Sequence, residues 1–471
     1  MIRPDRDCAR VKQARAPSRW LSLVPPLLSF LGVVLLAFLL GAWVAWRELA
    51  PFPKAVRPAF VGLQALWEGS RASTGARWVD MGGTSWRDAL AGGVSLRRDG
   101  AAAGLTLLLT GQSAHLVDLD GNVRHSWQRD YDTLPAAPGR RELSPDRVVW
   151  YRGRVLPNGD LLVLYDTKRA SPQGVALARL DRDSKPLWVH YGNVHHDFDV
   201  ADDGRIFVLA QSVRAEPPRA LADLRGPILD ETVRILSPDG RLLREVSLLD
   251  AFASSVYAPL VNRVGGPLRD RKPYRTGDYL HSNNVEIAGA ATRARIDALR
   301  PGQALVSMRN VGVVALVDLE RPVVVWARRG EWFMQHDPDF LENGNLLIYD
   351  NQGDADREGR TRVIEVDPAN GAIVWQYPGA GGTPLLNRVR GDQQRLANGD
   401  TLISEQDGYR VIEVTREGAL AWEYVCALRL PGGKRRPSMV YYAERYAPGS
   451  LDFPFNEGRL AARYLSKEEQ E

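Results

Sequence analysis

The sequence predicts an all-β protein, a six-bladed β-propeller behind an N-terminal transmembrane helix. Three observations lead there. Short β runs set off by Asn-Gly and Asp-Gly turns repeat from Gly104 onward, a tryptophan closes most of the copies, and no charged residue interrupts the stretch from Trp20 to Trp46.

Residues 1–19 form a basic leader, in which Arg3, Arg6, Arg10, Lys12, Arg15 and Arg19 face only Asp5. The run that follows, LLSFLGVVLLAFLLGAWVAW within residues 20–46, is long enough to cross a bilayer at ~1.5 Å per residue. A cleaved signal peptide has a shorter apolar core and a small-residue cleavage site, so the segment reads as an uncleaved signal anchor; the alternative is a long signal peptide cut after Ala45. Basic residues before the span put the N-terminus in the cytoplasm and the rest in the periplasm or outside, with Trp20, Trp43 and Trp46 at the interfaces. The expected location is therefore the cytoplasmic membrane, spanned once. Residues 47–103 read as a juxtamembrane linker, its exit stiffened by Pro51, Pro53 and Pro58. On this topology Cys8 and Cys426, the two cysteines, lie on opposite sides of the membrane and form no internal disulfide. A net charge of +4 over 471 residues, much of it in the leader, argues against nucleic-acid binding.

From residue 104 to 450 the repeat takes over, before a charged tail at 451–471. Aligned on their turn glycines, the copies show an inner strand, a tight turn, a second strand, a third ending near an Asp, another turn, and a fourth often ending in Trp. GRVLPNGDLLVLYD and DPDFLENGNLLIYDN are typical openings, and Trp127, Trp188, Trp326, Trp375 and Trp422 close copies. Asn-Gly between alternating apolar runs is a strong hairpin signal, and four antiparallel strands in roughly 40 to 50 residues is a propeller blade. Five complete copies and one partial copy give six blades. The partial first copy lacks an inner strand, which the segment Ser438 to Ala447 is placed to supply, closing the ring.

Within the repeat one pattern recurs three times: HDFDV from His196, HSNNV from His281 and HDPDF from His336. Each histidine stands four residues before a Val or Phe, an even spacing that puts both on one strand face. In a propeller the first strand of each blade lines the channel, so the three imidazoles form an arc at one mouth. Tyr151 and Gly391 hold the equivalent places in blades two and six, and His195 is expected to point toward the neighbouring blade. A structural role for each histidine and a zinc site of three imidazoles remain alternatives, although Asp197 and Asp337 face away and the Asn283 amide is a weak metal ligand. His115, His125 and His190 fall on outer or connecting positions. The closing tryptophans are read as plugs between blades and identify no cofactor.

Taken together, TGQSAHLVDLDGNVRHSW, VHHDFDVADDGRIFVLAQ, YLHSNNVEI, ALVSMRNVGVVALVD, QHDPDFLENGNLLIYDN and QRLANGDTLISEQDGYRVIEV resemble the bacterial arylsulfate sulfotransferases and the wider arylsulfotransferase-like (ASST) group, in order from about Gly104 to Tyr424. The resemblance implies a six-bladed propeller that moves a sulfuryl group from a phenolic sulfate ester to a phenolic acceptor through a sulfated histidine, with no cofactor and no nucleotide sulfate donor; no P-loop motif occurs. By motif, His336 resembles the nucleophile, His196 the first active-site histidine with His195 as a second possibility, His281 and Asn283 the H-x-N pattern, and Arg309 the sulfate-binding arginine. Sulfuryl transfer needs in-line positioning and neutralised equatorial oxygens, which suits these residues.

The chain departs from the family in three ways. The segment before the propeller is too short for the N-terminal β-sandwich of characterised enzymes, the family disulfide has no counterpart, and the insertion Ala290 to Pro301 separates His281 from Arg309. Two other readings stand beside the enzyme: a noncatalytic membrane-anchored scaffold that binds protein partners at the channel mouth, and a metal or quinone oxidoreductase of propeller type.

Overall fold

The computed structural model describes residues 93–457 apart from 168–171, 263–276, 352–360, 381–382, 386, 388 and 430–434, together with Leu35 and Leu36. Apart from Leu35 and Leu36 the expected membrane helix lies outside the described residues, among which no helix is long and apolar enough to cross a membrane. The chain divides into two units, residues 1–80 and 81–471, and the propeller belongs to the second.

The predicted blades form. Blade 2 runs Val148–Val155, Leu161–Thr167, Ala176–Leu180 and Pro186–Tyr191 from axis to rim, every neighbour antiparallel. Blades 3, 4 and 5 repeat the order, with inner strands Val194–Val200, Ser282–Ile287 and His336–Phe340. Blade 6 begins at Asp392–Arg395 and carries a fifth strand at its rim, Gly93–Arg97, paired with Leu420–Val425. That strand falls inside the segment read as linker. Blade 1 takes its inner strand from the other end of the chain: Tyr442–Tyr446 pairs with Leu105–Thr110, so the ring closes inside blade 1 as expected.

Each blade is held to the next by a small set of contacts. The closing Trp127 donates its indole N–H to the Gly159 carbonyl in the turn of blade 2, at 3.2 Å, and Trp188 does the same to Pro238 of blade 3 at 3.1 Å. Trp375 reaches Arg416 of blade 6 at 2.7 Å, and Trp422 reaches Leu119 of blade 1 at 3.0 Å, across the seam between the last blade and the first. The plug is thus also a donor to a turn carbonyl of the next blade, buried at Trp127, half-buried at Trp422 and exposed at Trp188 and Trp375. Nearer the axis, carboxylates cap the free edge of the following inner strand. Asp197 and Asp199 accept from Val285 and Ile287 N–H at 2.9 Å each, and Glu286 accepts from Phe340 N–H at 2.8 Å. An inner strand has no sheet neighbour on its axial side, so these carboxylates take the place of a missing strand.

The tail does not leave the propeller at once. Phe453 packs edge-on against His125 with ring centroids 5.0 Å apart, and Asn456 N–H donates to His125 Nδ1 at 3.0 Å.

Candidate active site

The even spacing from histidine to Val or Phe is not what aims the imidazoles. Each inner strand in blades 2 to 5 bulges near its start: the pairing shifts between Trp150 and Arg152, across His195 to Asp197, between Ser282 and Asn284, and between His336 and Asp339. His196 and His281 adopt left-handed backbone angles, φ +57° and +50°, rare for residues with a β-carbon. Such bulges re-aim side chains and occur beside active sites. Here they turn consecutive blades toward one point above the channel.

The rings of His196 and His281 meet edge to face with centroids 4.9 Å apart, and Tyr151 packs on the other side of His196 at 5.3 Å. His336 joins them from blade 5. Its Nδ1 lies 2.6 Å from Asn351 Oδ1 and 3.0 Å from the Met334 carbonyl. The Asn351 amide is oriented by its own bonds, since Nδ2 donates to the Asn387 and Arg390 carbonyls. Both neighbours of His336 Nδ1 are therefore acceptors, which places the proton on Nδ1 and the lone pair on Nε2. That Nε2 is buried and unbonded. Burial, with the nearby Arg309 charge adding to it, lowers the His336 pKa to about 3, so the ring is neutral throughout the physiological range.

His281 is held differently. Its Nδ1 lies 2.5 Å from Asp278 Oδ2, and its Nε2 is also buried without a partner. Burial opposes charge on Asp278, yet His281 and Arg309 together keep its carboxyl below the usual range. Asn310 fixes the loop by donating from Nδ2 to the Asp278 carbonyl at 2.7 Å. Asn283 gives one Nδ2 hydrogen to the Gln335 carbonyl at 2.8 Å, leaving the other hydrogen and a buried, unbonded Oδ1.

Arg309 reaches the cluster despite the insertion. The short helix Ala290–Arg295 folds at the far end of the inner strand, where Ala290 N–H donates to Asp202 at 2.7 Å. The second strand then returns, and Arg309 N–H donates to the His281 carbonyl at 3.2 Å. Its charge lowers the pKa of His196 and His336 alike. Gly391, the blade 6 counterpart, has φ +129°, and a β-carbon there would lie 2.4 Å from the Tyr349 ring, so only glycine fits.

His195 does not meet the neighbouring blade. It is fully buried behind His196, its Nε2 3.1 Å from Glu231 of its own blade and its Nδ1 2.7 Å from His196 Nδ1. Asp278, Asn351 and Glu231 were missed from the sequence. Asn351 had a signal: it stands seven residues after the turn glycine Gly344, as Asp166, Gln211, Arg309 and Gln406 stand after Gly159, Gly204, Gly302 and Gly399. A polar side chain thus stands at one offset from the turn in five blades, inside the second strand at Asp166 and Gln211 and just past its end at Arg309, Asn351 and Gln406. Among the described residues no group of three or more His, Cys, Asp or Glu is arranged to hold a metal ion.

Fold and site together define a six-bladed propeller with three differently partnered imidazoles and an arginine at one mouth. Residues 155–427 match the Arylsulfotransferase (ASST) family, and the chain belongs to it. No curated protein matched the sequence. Among solved structures, a protein of unknown function from Bacteroides caccae is 12% identical, covering 68% of this chain and 93% of its own, with a TM-score of 0.42. The virginiamycin B lyase of Staphylococcus aureus is 10% identical over 70% of this chain and 87% of its own, with a TM-score of 0.33. At such values neither bears on what this chain does.

Proposed function

We propose that the protein transfers a sulfuryl group from a phenolic sulfate ester to a phenolic acceptor through a sulfated His336, without a nucleotide donor, on the outer side of the cytoplasmic membrane. The observation that carries this reading is the state of His336: proton locked on Nδ1, lone pair on a buried and unbonded Nε2, and no positive charge at neutral pH. A neutral imidazole so held is a nucleophile that needs no base to activate it.

In this reading Nε2 of His336 attacks sulfur as the bond to the phenolic oxygen breaks. Arg309, the spare Asn283 N–H and His281 backed by Asp278 hold the sulfuryl oxygens, where charge must be neutralised in line. His196 protonates the departing phenolate and later takes the proton of the acceptor phenol. Tyr151 beside His196, and Tyr441 with its ring centroid 6.5 Å from that of Tyr151, offer aromatic faces for the phenols.

The test is mass spectrometry of the full-length protein after brief exposure to 4-nitrophenyl sulfate without acceptor. The expected result is a sulfuryl adduct on the peptide containing His336, discharged on adding phenol and missing in His336→Asn. Nitrophenolate release with the adduct on another residue, or no release with any of several acceptors, overturns the proposal.

A further inference from the structure

We infer that Glu231 and His195 form a buried proton relay behind His196, fixing its proton on Nε2 and refilling Nδ1 when that proton is given away. The inference rests on the sulfuryl-transfer reading above and assigns work to two residues that touch no substrate.

The geometry is a line of three groups. Glu231 Oε2 lies 3.1 Å from His195 Nε2, an ion-pair contact out of line for a hydrogen bond, and His195 Nδ1 lies 2.7 Å from His196 Nδ1, within hydrogen-bond reach. His195 and Glu231 are both fully buried. The other carboxylate oxygen accepts from Gln211 Nε2 at 2.8 Å, which holds the carboxylate in place. Gln211 in turn accepts the Gln173 N–H at 2.9 Å.

Two imidazole nitrogens 2.7 Å apart are an N–H and a lone pair, because two lone pairs or two protons would repel. Which ring owns the proton follows from the surroundings. Burial opposes a charge on His195, but Glu231 outweighs it, with Asp166 and Asp278 adding, and the pKa of His195 is raised. His196 sees the reverse: burial and then neighbouring His281, His195 and Arg309 push its pKa well below the ordinary value. The shared proton therefore sits on His195, and His196 presents Nε2–H to the site.

That assignment creates a chemical need. A neutral imidazole that gives up its only proton becomes an imidazolate, which a buried site beside an arginine does not make readily. The need disappears if Nδ1 is protonated in the same step. As the bond between sulfur and phenolic oxygen breaks and the His336 Nε2–S bond forms, the phenolate takes the Nε2 proton of His196. His195 passes its Nδ1 proton to His196 Nδ1 and becomes neutral, keeping its Nε2 proton beside the Glu231 carboxylate. Discharge runs the path backwards: the acceptor phenol gives its proton to His196 Nε2, the Nδ1 proton returns to His195, and the sulfuryl group leaves His336 for the phenolic oxygen. No proton is gained or lost over the cycle.

Glu231→Gln keeps the shape and a bond to Gln211 while removing the charge that holds the proton on His195. The experiment compares kcat/KM of full-length wild type and Glu231→Gln on 4-nitrophenyl, phenyl and 4-methoxyphenyl sulfates with a common acceptor. The 4-nitrophenolate leaves unaided, so its loss is expected below ~10-fold, whereas the poorer leaving groups lose ~10²-fold or more. An equal loss on all three donors, or none on any, overturns the relay while leaving the sulfated His336 intact. Nitrogen-15 shifts of the wild-type histidine rings decide the matter should the variant not fold or the wild type not turn over. His195 doubly protonated and His196 protonated on Nε2 at pH 7 support the relay, and a neutral His195 overturns it.

Discussion

At the scale of single residues, His336 and its neighbours make a prediction about pH. The ring is neutral down to about pH 3, because burial and then Arg309 disfavour its charged form. Protonation of a nucleophile removes activity as pH falls, so the acid limb that His336 imposes on kcat/KM is expected near pH 3 and not in the ordinary histidine range. Arg309→Gln removes one of the charges that depress it, and the limb should move to higher pH. The same variant loses a sulfuryl-oxygen donor and is expected to fall ~10²-fold or more in rate. A pH–rate series on both proteins checks the two effects together; an acid limb in the variant at or below that of the wild type would contradict the placement of Arg309. The three histidines were legible because they recur at one offset from the turn glycines. Their partners were not, since Asp278 and Glu231 come from a loop and an outer strand that no local spacing ties to them. The bulges were hidden for a related reason: a single residue in left-handed conformation leaves no mark in an alternating pattern unless it is glycine.

At the scale of elements, the chain closes its ring with a strand drawn from its far end. Tyr442–Tyr446 completes blade 1, and without it Leu105–Thr110 becomes an open edge beside an apolar core. A chain ending at residue 437 is therefore expected to lose cooperative unfolding and to associate through that edge, and scanning calorimetry with light scattering reads both. The indole bonds act more gently. Trp422→Phe keeps most of the plug but leaves the Leu119 carbonyl unbonded, a loss of about 1 kcal/mol by the usual worth of one such bond. Urea unfolding of the variant measures it, and a loss below about 0.3 kcal/mol would mean that water replaces the donor. Closing strand and blades were readable because turn chemistry and alternation repeat. The rim strand Gly93–Arg97 was not, because a short, half-exposed edge strand with no partner turn looks like linker.

At the scale of the whole molecule, one guanidinium under the histidines gathers most of the ring. Arg152 of blade 2 lies 2.9 Å from Asp197 of blade 3, 2.9 Å from Asp337 of blade 5 and 3.3 Å from Asp392 of blade 6, and sits 4.3 Å above the Tyr442 ring of blade 1. The channel continues below it into a cavity of about 400 Å³, lined by Arg154, Glu286, Asp339 and Gln393 among others, which none of the three histidines reaches. Removing the cation by Arg152→Met strands three buried carboxylates, and breaking a buried charge network in this way costs about 3–5 kcal/mol. The sign of the pH dependence follows from the acids. Burial raises Asp197 to about 7 even though Arg152 pulls it down, and Asp392 is also raised well above its ordinary value. Without Arg152 both must rise further. A carboxyl whose folded pKa exceeds its unfolded one gives stability that is complete below the unfolded value and is lost as pH climbs through the folded value. The deficit of Arg152→Met relative to wild type is accordingly expected to be largest at pH 8 and to shrink toward pH 5, where the stranded acids take up protons. Urea unfolding of both proteins at pH 5, 6, 7 and 8 gives the curve. A deficit that stays level or grows on acidification would mean that Arg152 holds the blades by packing its side chain against Tyr442 and not by its charge.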